Sequence, residues 1–129
     1  MKTPVWIAIC TVLGIGVVAC VKPVEVYGYR PTVTEDTVPH PETAPVDIYD
    51  ISDDLDITYE AYRETLRKND EIGRFTALNR LGTDQAPLIP EIRTFAQQKG
   101  ADAAIISCAS KPFEGKEQRI CAGVLLRYE

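Results

Sequence analysis

The chain has 129 residues and a formal net charge of −5, a length that suits one domain rather than two. Charged residues make up 26% and hydrophobic residues 45% of the chain, which is an ordinary globular composition. The acidic balance excludes attraction to phosphate backbones, so we expect no nucleic-acid partner.

The N-terminus has the layout of a secretory signal peptide. Met1-Lys2-Thr3 carries one positive charge, and residues 5–19 then run without a charged side chain. A basic start followed by a short apolar run is typical of such signals. The alternative is a retained transmembrane helix, but fifteen helical residues span only about 22 Å, less than the roughly 30 Å hydrocarbon core. The sequence therefore predicts a signal peptide at residues 1–19.

The apolar run ends in Val17-Val18-Ala19-Cys20. This tetrapeptide resembles the lipobox of bacterial lipoproteins. The resemblance implies that diacylglycerol is attached to Cys20, that cleavage follows Ala19, and that the new amino terminus is acylated. Several acyl chains give stable membrane attachment where one chain is marginal. Residue 21 is Val rather than Asp, which by analogy with Gram-negative lipoproteins implies the outer membrane, facing the periplasm.

The four cysteines divide into two pairs. Cys10 lies in the run that would be removed and Cys20 would carry lipid, which leaves Cys108 and Cys121. An exported pair is expected to form a disulfide. If residues 114–115 form a tight turn, position i pairs with position 229 − i and the two cysteines oppose each other directly. The alternatives are two buried free thiols or a metal site, and the latter lacks further ligands.

Residues 20–45 are predicted to be the lipidated cysteine and a proline-rich linker. Five prolines and no helical period favour an extended, disordered stalk, although residues 24–29 could pair as a short strand. At about 3.1 Å per residue, such a stalk would reach roughly 75 Å from the membrane.

Residues 46–129 are predicted to be a small α+β domain. Alternating polar and apolar residues indicate strands at 46–50 and 72–78, and apolar runs indicate strands at 103–108 and 119–128. Helices are predicted at 57–69 and at 90–99, the second beginning at Pro90 and capped by Gly100.

The predicted sheet is mixed, with about four strands, two helices and a C-terminal antiparallel hairpin. In the last strand four residues are expected to share one face: Ile120, Ala122, Val124 and Leu126.

Segments 46–49, 71–75, 100–106 and 123–128 resemble a class of small bacterial envelope lipoproteins. The arrangement is similar to the outer-membrane lipoprotein that senses envelope stress for the Rcs phosphorelay, and to small domains labelled as heavy-metal binding. The resemblance implies a lipobox, a proline-rich linker and a compact, disulfide-containing α+β domain. The sensor family has two disulfides, whereas this chain has cysteines for one after Cys10 and Cys20 are set aside. No functional residue is carried over beyond Cys20.

No catalytic constellation, metal site or cofactor site is predicted. His40 stands between two prolines in the linker, and the acidic run at 47–56 lacks the central glycine of a calcium loop. We therefore expect a non-catalytic interaction, scaffold or stress-sensing module whose partners are the membrane, through Cys20, and another envelope protein. The alternative is a small-ligand or metal-binding lipoprotein, which would need carboxylates converging from residues 47–56 or a pocket between the 90–99 helix and the sheet. An exposed apolar patch or open sheet edge would favour the interaction role.

Overall fold

The computed structural model describes residues 9–13, 17–21, 23–32, 44–54 and 56–129, with side chains described from residue 23 onward. The elements of the main domain, in chain order after two short strands near the N-terminus, are β3 (Val24–Pro31), β4 (Asp47–Asp50), α1 (Tyr59–Arg63), β5 (Asn69–Asn79), α2 (Leu88–Gln98), β6 (Ala103–Phe113) and β7 (Lys116–Tyr128). The two N-terminal strands are β1 (Ile9–Leu13) and β2 (Val17–Val21).

The main sheet has five strands in the order β3-β5-β7-β6-β4. The pairings are antiparallel apart from β4 with β6, which is parallel. A mixed sheet with two helices makes the fold α+β, as the sequence predicts. The number of strands is five rather than about four, and the additional strand is β3.

Strand β3 corrects the predicted linker. It is an edge strand, and Val24 is buried in the core. Gly28, with φ +66, marks a shift of register between Tyr27 and Arg30. An edge strand tolerates the bulge and the proline at Pro31 because one of its sides makes no ladder bonds. The same residues make the segment look like a linker in sequence. The domain therefore begins at residue 23 rather than 46, and residues 33–43 of the predicted stalk lie outside the described part.

The crossing from β3 to β4 joins the two edges of the sheet, about 19 Å apart at four strand spacings. The Gln97 side chain donates a hydrogen bond to the Ala44 carbonyl at 2.7 Å, and Val46 packs in the core beside α2. The proline-rich segment thus connects strands within the domain.

Both faces of the sheet bury apolar side chains. The α2 face carries the larger cluster, with Leu88, Ile92 and Ala96 of the helix fully buried against the sheet. The α1 face carries a smaller cluster built on Ile105 and Leu126. Helix α2 ends as predicted, at Gly100 with φ +73, a backbone conformation that favours glycine.

Helix α1 is shorter than the predicted 57–69. Thr58 caps its start by accepting a hydrogen bond from the Ala61 amide at 3.1 Å. Beyond Arg63 the Asn69 side chain donates to the carbonyls of Arg63 and Arg67, at 3.2 and 2.7 Å. The Arg63 carbonyl also accepts from the Leu66 amide at 3.1 Å, an i to i+3 bond, so the helix ends in a tighter turn that the asparagine caps.

Strands β6 and β7 form the C-terminal hairpin in the register that the cysteine spacing predicts, with Cys108 opposite Cys121. Glu114 (φ 51) and Gly115 (φ 80) supply the two positive φ angles of a tight turn. Ile120, Ala122, Val124 and Leu126 share one face of β7, as expected, but burial changes along that face. Val124 and Leu126 are buried, but Ala122 is exposed because the α1 segment covers only that half of the sheet.

The predicted signal peptide is described only in part. Strands β1 and β2 pair antiparallel, with Cys10 opposite Cys20 in the register. Residues 1–8 and 14–16, and likewise His40 in the linker, lie outside the described residues. Among the residues that are described, no helix has the length and hydrophobicity to cross a membrane.

Candidate functional site

The start of β3 fixes where Cys20 can lie relative to the domain. Val24 is the first residue of the sheet, and the preceding Pro23 is buried, its carbonyl accepting a hydrogen bond from the Arg80 amide at 2.7 Å. Four residues span at most about 14 Å when fully extended. Cys20 is therefore held within about 14 Å of the Val24 backbone.

We call the end of the sheet where Val24 lies the Cys20-proximal end. Val24 pairs with Asn79, Asn79 with Arg119 and Arg119 with Ser110, so these residues form one row across four strands. Strand β3 begins there, β5 ends there, and the β6–β7 hairpin continues past the row to its turn. The connection between β5 and α2 also starts at this end.

The disulfide predicted from the sequence is present close to this row. Cys108 and Cys121 are bonded, with their Cα atoms 4.0 Å apart. Both cysteines are buried on the α2 face. The bond joins the two strands of the hairpin two residues before they pass Ser110 and Arg119, so it fixes the base of the projecting part.

A polar network ties β4, α2 and β7 together on the α2 face. The Asp50 carboxylate accepts hydrogen bonds from the Ser52 amide (2.8 Å), from the Ser52 hydroxyl, and from Gln85 (2.5 Å). Gln85 in turn accepts from the Arg119 guanidinium at 2.7 Å. Burial alone would raise the pKa of Asp50, but these hydrogen bonds and the charge of Arg119 outweigh it and lower the pKa. Asp50 thus has a structural role.

The acidic run at 47–56 does not converge. Asp47 accepts a hydrogen bond from the Tyr128 hydroxyl at 2.8 Å on the α1 face, whereas Asp50 lies in the network on the α2 face. The Asp54 carboxylate accepts from the Asp56 amide at 3.3 Å within a local turn. In the described ranges, no three His, Cys, Asp or Glu residues are grouped so as to hold a metal ion.

Hydrogen bonds and an ion pair hold residues 80–82, which follow β5, at the Cys20-proximal end. Arg80 forms an ion pair with Glu25 of β3, Nη2 to Oε1, at 2.5 Å, and its carbonyl accepts from the Gln118 side chain at 3.1 Å. The Arg119 amide donates to the Gly82 carbonyl at 2.8 Å. These bonds hold the backbone of the 80–82 turn, so the side chain of Leu81 is presented at a defined position.

The interface between α2 and the sheet is filled. Leu88, Ile92 and Ala96 have no exposed surface, and the rings of Phe75 and Phe95 lie 5.7 Å apart beneath the helix. Between the described residues of α2 and the sheet, these side chains fill the place where the ligand-binding alternative would put a pocket.

Half of the α1 face is uncovered. Tyr59 marks the boundary, because its hydroxyl donates to the carbonyl of Ala122 at 3.1 Å. Beyond it, the exposed and half-buried residues of one continuous surface are Tyr27, Leu78, Ala109, Ile120 and Ala122. We call this surface the open half-face. Tyr27 is the most prominent of them, 43% exposed on the edge strand.

A shallow depression adjoins the open half-face. Its volume is about 320 Å³, and its lining comprises Ile51, Ile57, Thr58, Tyr59, Glu60 and Ser107. Burial of the Tyr59 ring raises the pKa of its hydroxyl, so this phenol stays protonated and able to donate at neutral pH. Sequence reasoning missed this surface because its residues come from distant parts of the chain, Ile51, the 57–60 segment and Ser107.

Comparisons with known proteins identify the fold. No protein-family model matches the chain, and no curated protein matches its sequence. The structure is similar to the crystal structure of a Francisella virulence factor, FvfA, in the orthorhombic form, with a TM-score of 0.55 and 14% sequence identity. The match covers 79% of this chain and 97% of that one. At this identity the likeness shows a shared fold alone.

Proposed function

We propose that the chain is a bacterial envelope lipoprotein, anchored by lipid on Cys20 and located at the outer membrane facing the periplasm. Its α+β domain acts as a non-catalytic interaction, scaffold or stress-sensing module. The single observation that carries the proposal is the apolar run ending in Val17-Val18-Ala19-Cys20, which stops four residues before the sheet begins. Processing after Ala19 would then leave a lipid anchor joined almost directly to a folded domain.

The short connection supports a partner that is itself at the membrane. A domain held by at most about 14 Å of chain cannot sample the depth of the periplasm, as a 75 Å stalk would allow. We therefore infer a partner embedded in the outer membrane or resting on its inner surface.

The open half-face supports binding of another protein. Tyr27 and Ile120 expose apolar surface beside the charged pair of Glu25 and Arg80. An apolar centre with a polar rim and an amphipathic aromatic residue is the usual composition of a protein interface. Within the described ranges, strand β3 pairs on one side alone, with β5, so its other side offers a sheet edge next to this surface that partner strands can use.

The alternative is a small-ligand envelope lipoprotein. The depression lined by Tyr59 favours it, because about 320 Å³ lies at the lower end of the range of ligand sites. Thr58, Glu60 and Ser107 would supply the polar contacts there. Because the depression is open to solvent and does not enclose a ligand, small-ligand binding is the second candidate function.

The anchor is tested by intact-mass analysis of protein purified from membranes, wild type beside Cys20→Ala. We expect the wild type to begin at residue 20 with a lipid-sized mass increment and the variant to lack it. A wild-type chain that begins at Met1, or that begins at Cys20 without lipid, would overturn the proposal. In the first case β1 and β2 would remain part of the protein.

The interaction role is tested with a photocrosslinking amino acid at Tyr27, with Thr94 on exposed α2 as the matched control. We expect one envelope protein to crosslink from Tyr27 and not from Thr94. Crosslinks of equal yield from both positions would contradict a specific surface, and binding of small molecules in the Tyr59 depression would favour the alternative.

A further inference from the structure

Two exposed apolar side chains lie at the Cys20-proximal end. Leu81 is 65% exposed and Phe113 is 58% exposed, and with Tyr27 they are the large hydrophobic residues most open to solvent in the described chain. Single exposed apolar residues are common on protein surfaces. A membrane facing that end of the domain would explain why two exposed apolar side chains lie near the proposed lipid anchor.

Leu81 is next to the point where the chain leaves the sheet toward Cys20. It follows Arg80, whose amide is bonded to the Pro23 carbonyl at 2.7 Å. Its own amide donates to the Asn79 side chain at 2.9 Å. The backbone of Leu81 is thus fixed beside the anchor segment, while its side chain remains open to solvent.

Phe113 lies at the tip of the β6–β7 hairpin. Three residues separate it from Ser110 in the row that contains Val24, so the tip projects about 10 Å beyond that row. Strand β3 runs antiparallel to β5, and β6 runs antiparallel to β7. Because β5 also runs antiparallel to β7, the tip of the hairpin and the N-terminal end of β3 lie at the same end of the sheet.

The charges beside Phe113 suit phosphate headgroups. Lys116 is its cross-strand partner, and Lys111 lies two residues earlier on the same face of the hairpin. Both lysines are exposed. The acidic residues of the tip are Glu114, in the turn next to Phe113, and Glu117, which pairs with Pro112 on the opposite face. Aromatic and aliphatic side chains flanked by lysines are the composition of segments that lie at a membrane–water interface.

We propose that the Cys20-proximal end is a lipid-contacting surface, in which Leu81 and Phe113 enter the interfacial layer of the bilayer while Lys111 and Lys116 contact phosphate headgroups. The proposal rests on the lipid anchor proposed above and adds an orientation to it. The domain is held with the axis of the hairpin toward the membrane, and the tether keeps the contact at a high effective concentration, so weak insertion of two side chains is sufficient.

Tryptophan depth measurements test this orientation. The sequence has a single Trp, Trp6, which cleavage after Ala19 would remove. Leu81→Trp and Phe113→Trp therefore each place one reporter in the mature chain, and Gln98→Trp, at the exposed far end of α2, is the matched control. The lipidated proteins are reconstituted into vesicles of phosphatidylethanolamine and phosphatidylglycerol with brominated acyl chains. We expect blue-shifted, quenched emission from Leu81→Trp and Phe113→Trp and none from Gln98→Trp.

The proposed lipid anchor and the proposed lipid-contacting surface can be tested independently of each other. If natural lipidation is absent, the chain from Cys20 onward is coupled through that thiol to a maleimide lipid and measured in the same vesicles. Unquenched emission from both reporters on vesicle-bound protein would overturn the lipid-contacting surface, whether or not the natural anchor exists. Equal quenching of the Gln98→Trp control would also overturn it, because the domain would then lie on the membrane without a preferred end.

The unanchored Cys20→Ala protein provides a second measurement. Its partition onto the same vesicles should fall on the order of tenfold in the Leu81→Ser, Phe113→Ser double variant, because two apolar side chains no longer leave water. Lys111→Gln with Lys116→Gln should weaken binding only to vesicles that contain phosphatidylglycerol, and the exposed far-end variant Lys68→Gln should bind as wild type. Binding unchanged in the double serine variant would contradict the proposal.

Discussion

The ring of Phe75 on β5 lies over Gly123 on β7, its directly opposed cross-strand partner. A Cβ atom built on Gly123 would fall on the ring carbons of Phe75. The aromatic ring therefore occupies the space that the glycine leaves, in the centre of the sheet beneath α2.

Gly123→Ala should destabilise the domain by about 1–3 kcal/mol, because the added methyl group forces Phe75 from its position in a packed core. The free energy of unfolding in urea measures the effect. Gly82→Ala is the control, since a Cβ there meets no atom within 4 Å. Phe75→Leu should make the Gly123→Ala substitution less costly, and strictly additive losses would refute the direct clash.

Removal of the disulfide should cost about 3 kcal/mol, the chain-entropy value for a loop as short as the one between Cys108 and Cys121. A Cys108→Ala, Cys121→Ala variant is compared with wild type in denaturant, and both are measured again in reductant. Reductant should lower the free energy of unfolding of the wild type and leave that of the variant unchanged. An equally stable variant would show that the hairpin needs no covalent bond.

Glu71→Gln should lower the free energy of unfolding by about 1.5–3 kcal/mol, the range for hydrogen bonds to a charged group. The Glu71 side chain is only 12% exposed; it accepts from Arg74 at 2.9 Å and from the Thr32 hydroxyl at 2.5 Å. It thereby connects β5 to the end of β3. Glu64→Gln, at an exposed position, is the control.

The stability lost in the Glu71→Gln variant should depend on pH. Burial alone would raise the pKa of Glu71, but the hydrogen bonds and charges of its partners hold it below the ordinary 4.5. A lowered carboxyl pKa contributes stability that is complete above pH 4.5 and is lost as pH falls through the folded value. The difference between wild type and Glu71→Gln should therefore shrink at about pH 3. A difference independent of pH would assign the effect to packing.

A fragment that begins at residue 44 should be much less stable than one that begins at residue 21. The shorter fragment lacks β3, which removes Val24 from the core and exposes the edge of β5. The fragments are compared by denaturant unfolding and by size-exclusion chromatography, where we expect the shorter one to aggregate. Equal stability would restore the domain boundary at residue 46.

The regular elements could be predicted because their patterns are local. The alternation of polar and apolar residues predicts β5, and Gly100 predicts the end of α2. The 13-residue separation of Cys108 and Cys121 predicts the register of the hairpin. The edge strand could not be assigned with the same ease. Pro31 and the bulge at Gly28 break its pattern, and only pairing with distant β5 makes the segment a strand.

The candidate surfaces were harder to predict than the fold. Leu81 and Phe113 lie far from Cys20 in the sequence, and only the sheet order brings them to the end where β3 begins. The open half-face depends on the register of β3, β5, β7 and β6, which brings Tyr27, Ile120 and Ala109 onto one surface. A sequence pattern reveals local repeats of residue type, whereas these surfaces arise from the pairing of strands that are far apart in sequence.

The position of β3 has a mechanical consequence. A load that enters through residue 23 and is resisted at the opposite end of the domain runs parallel to β3, and the hydrogen bonds of the β3–β5 ladder lie perpendicular to it. Those bonds are then sheared together rather than opened one after another. A sideways pull on the same strand would instead unzip it from Val24 onward, so the direction of the load determines whether the domain holds or begins to open.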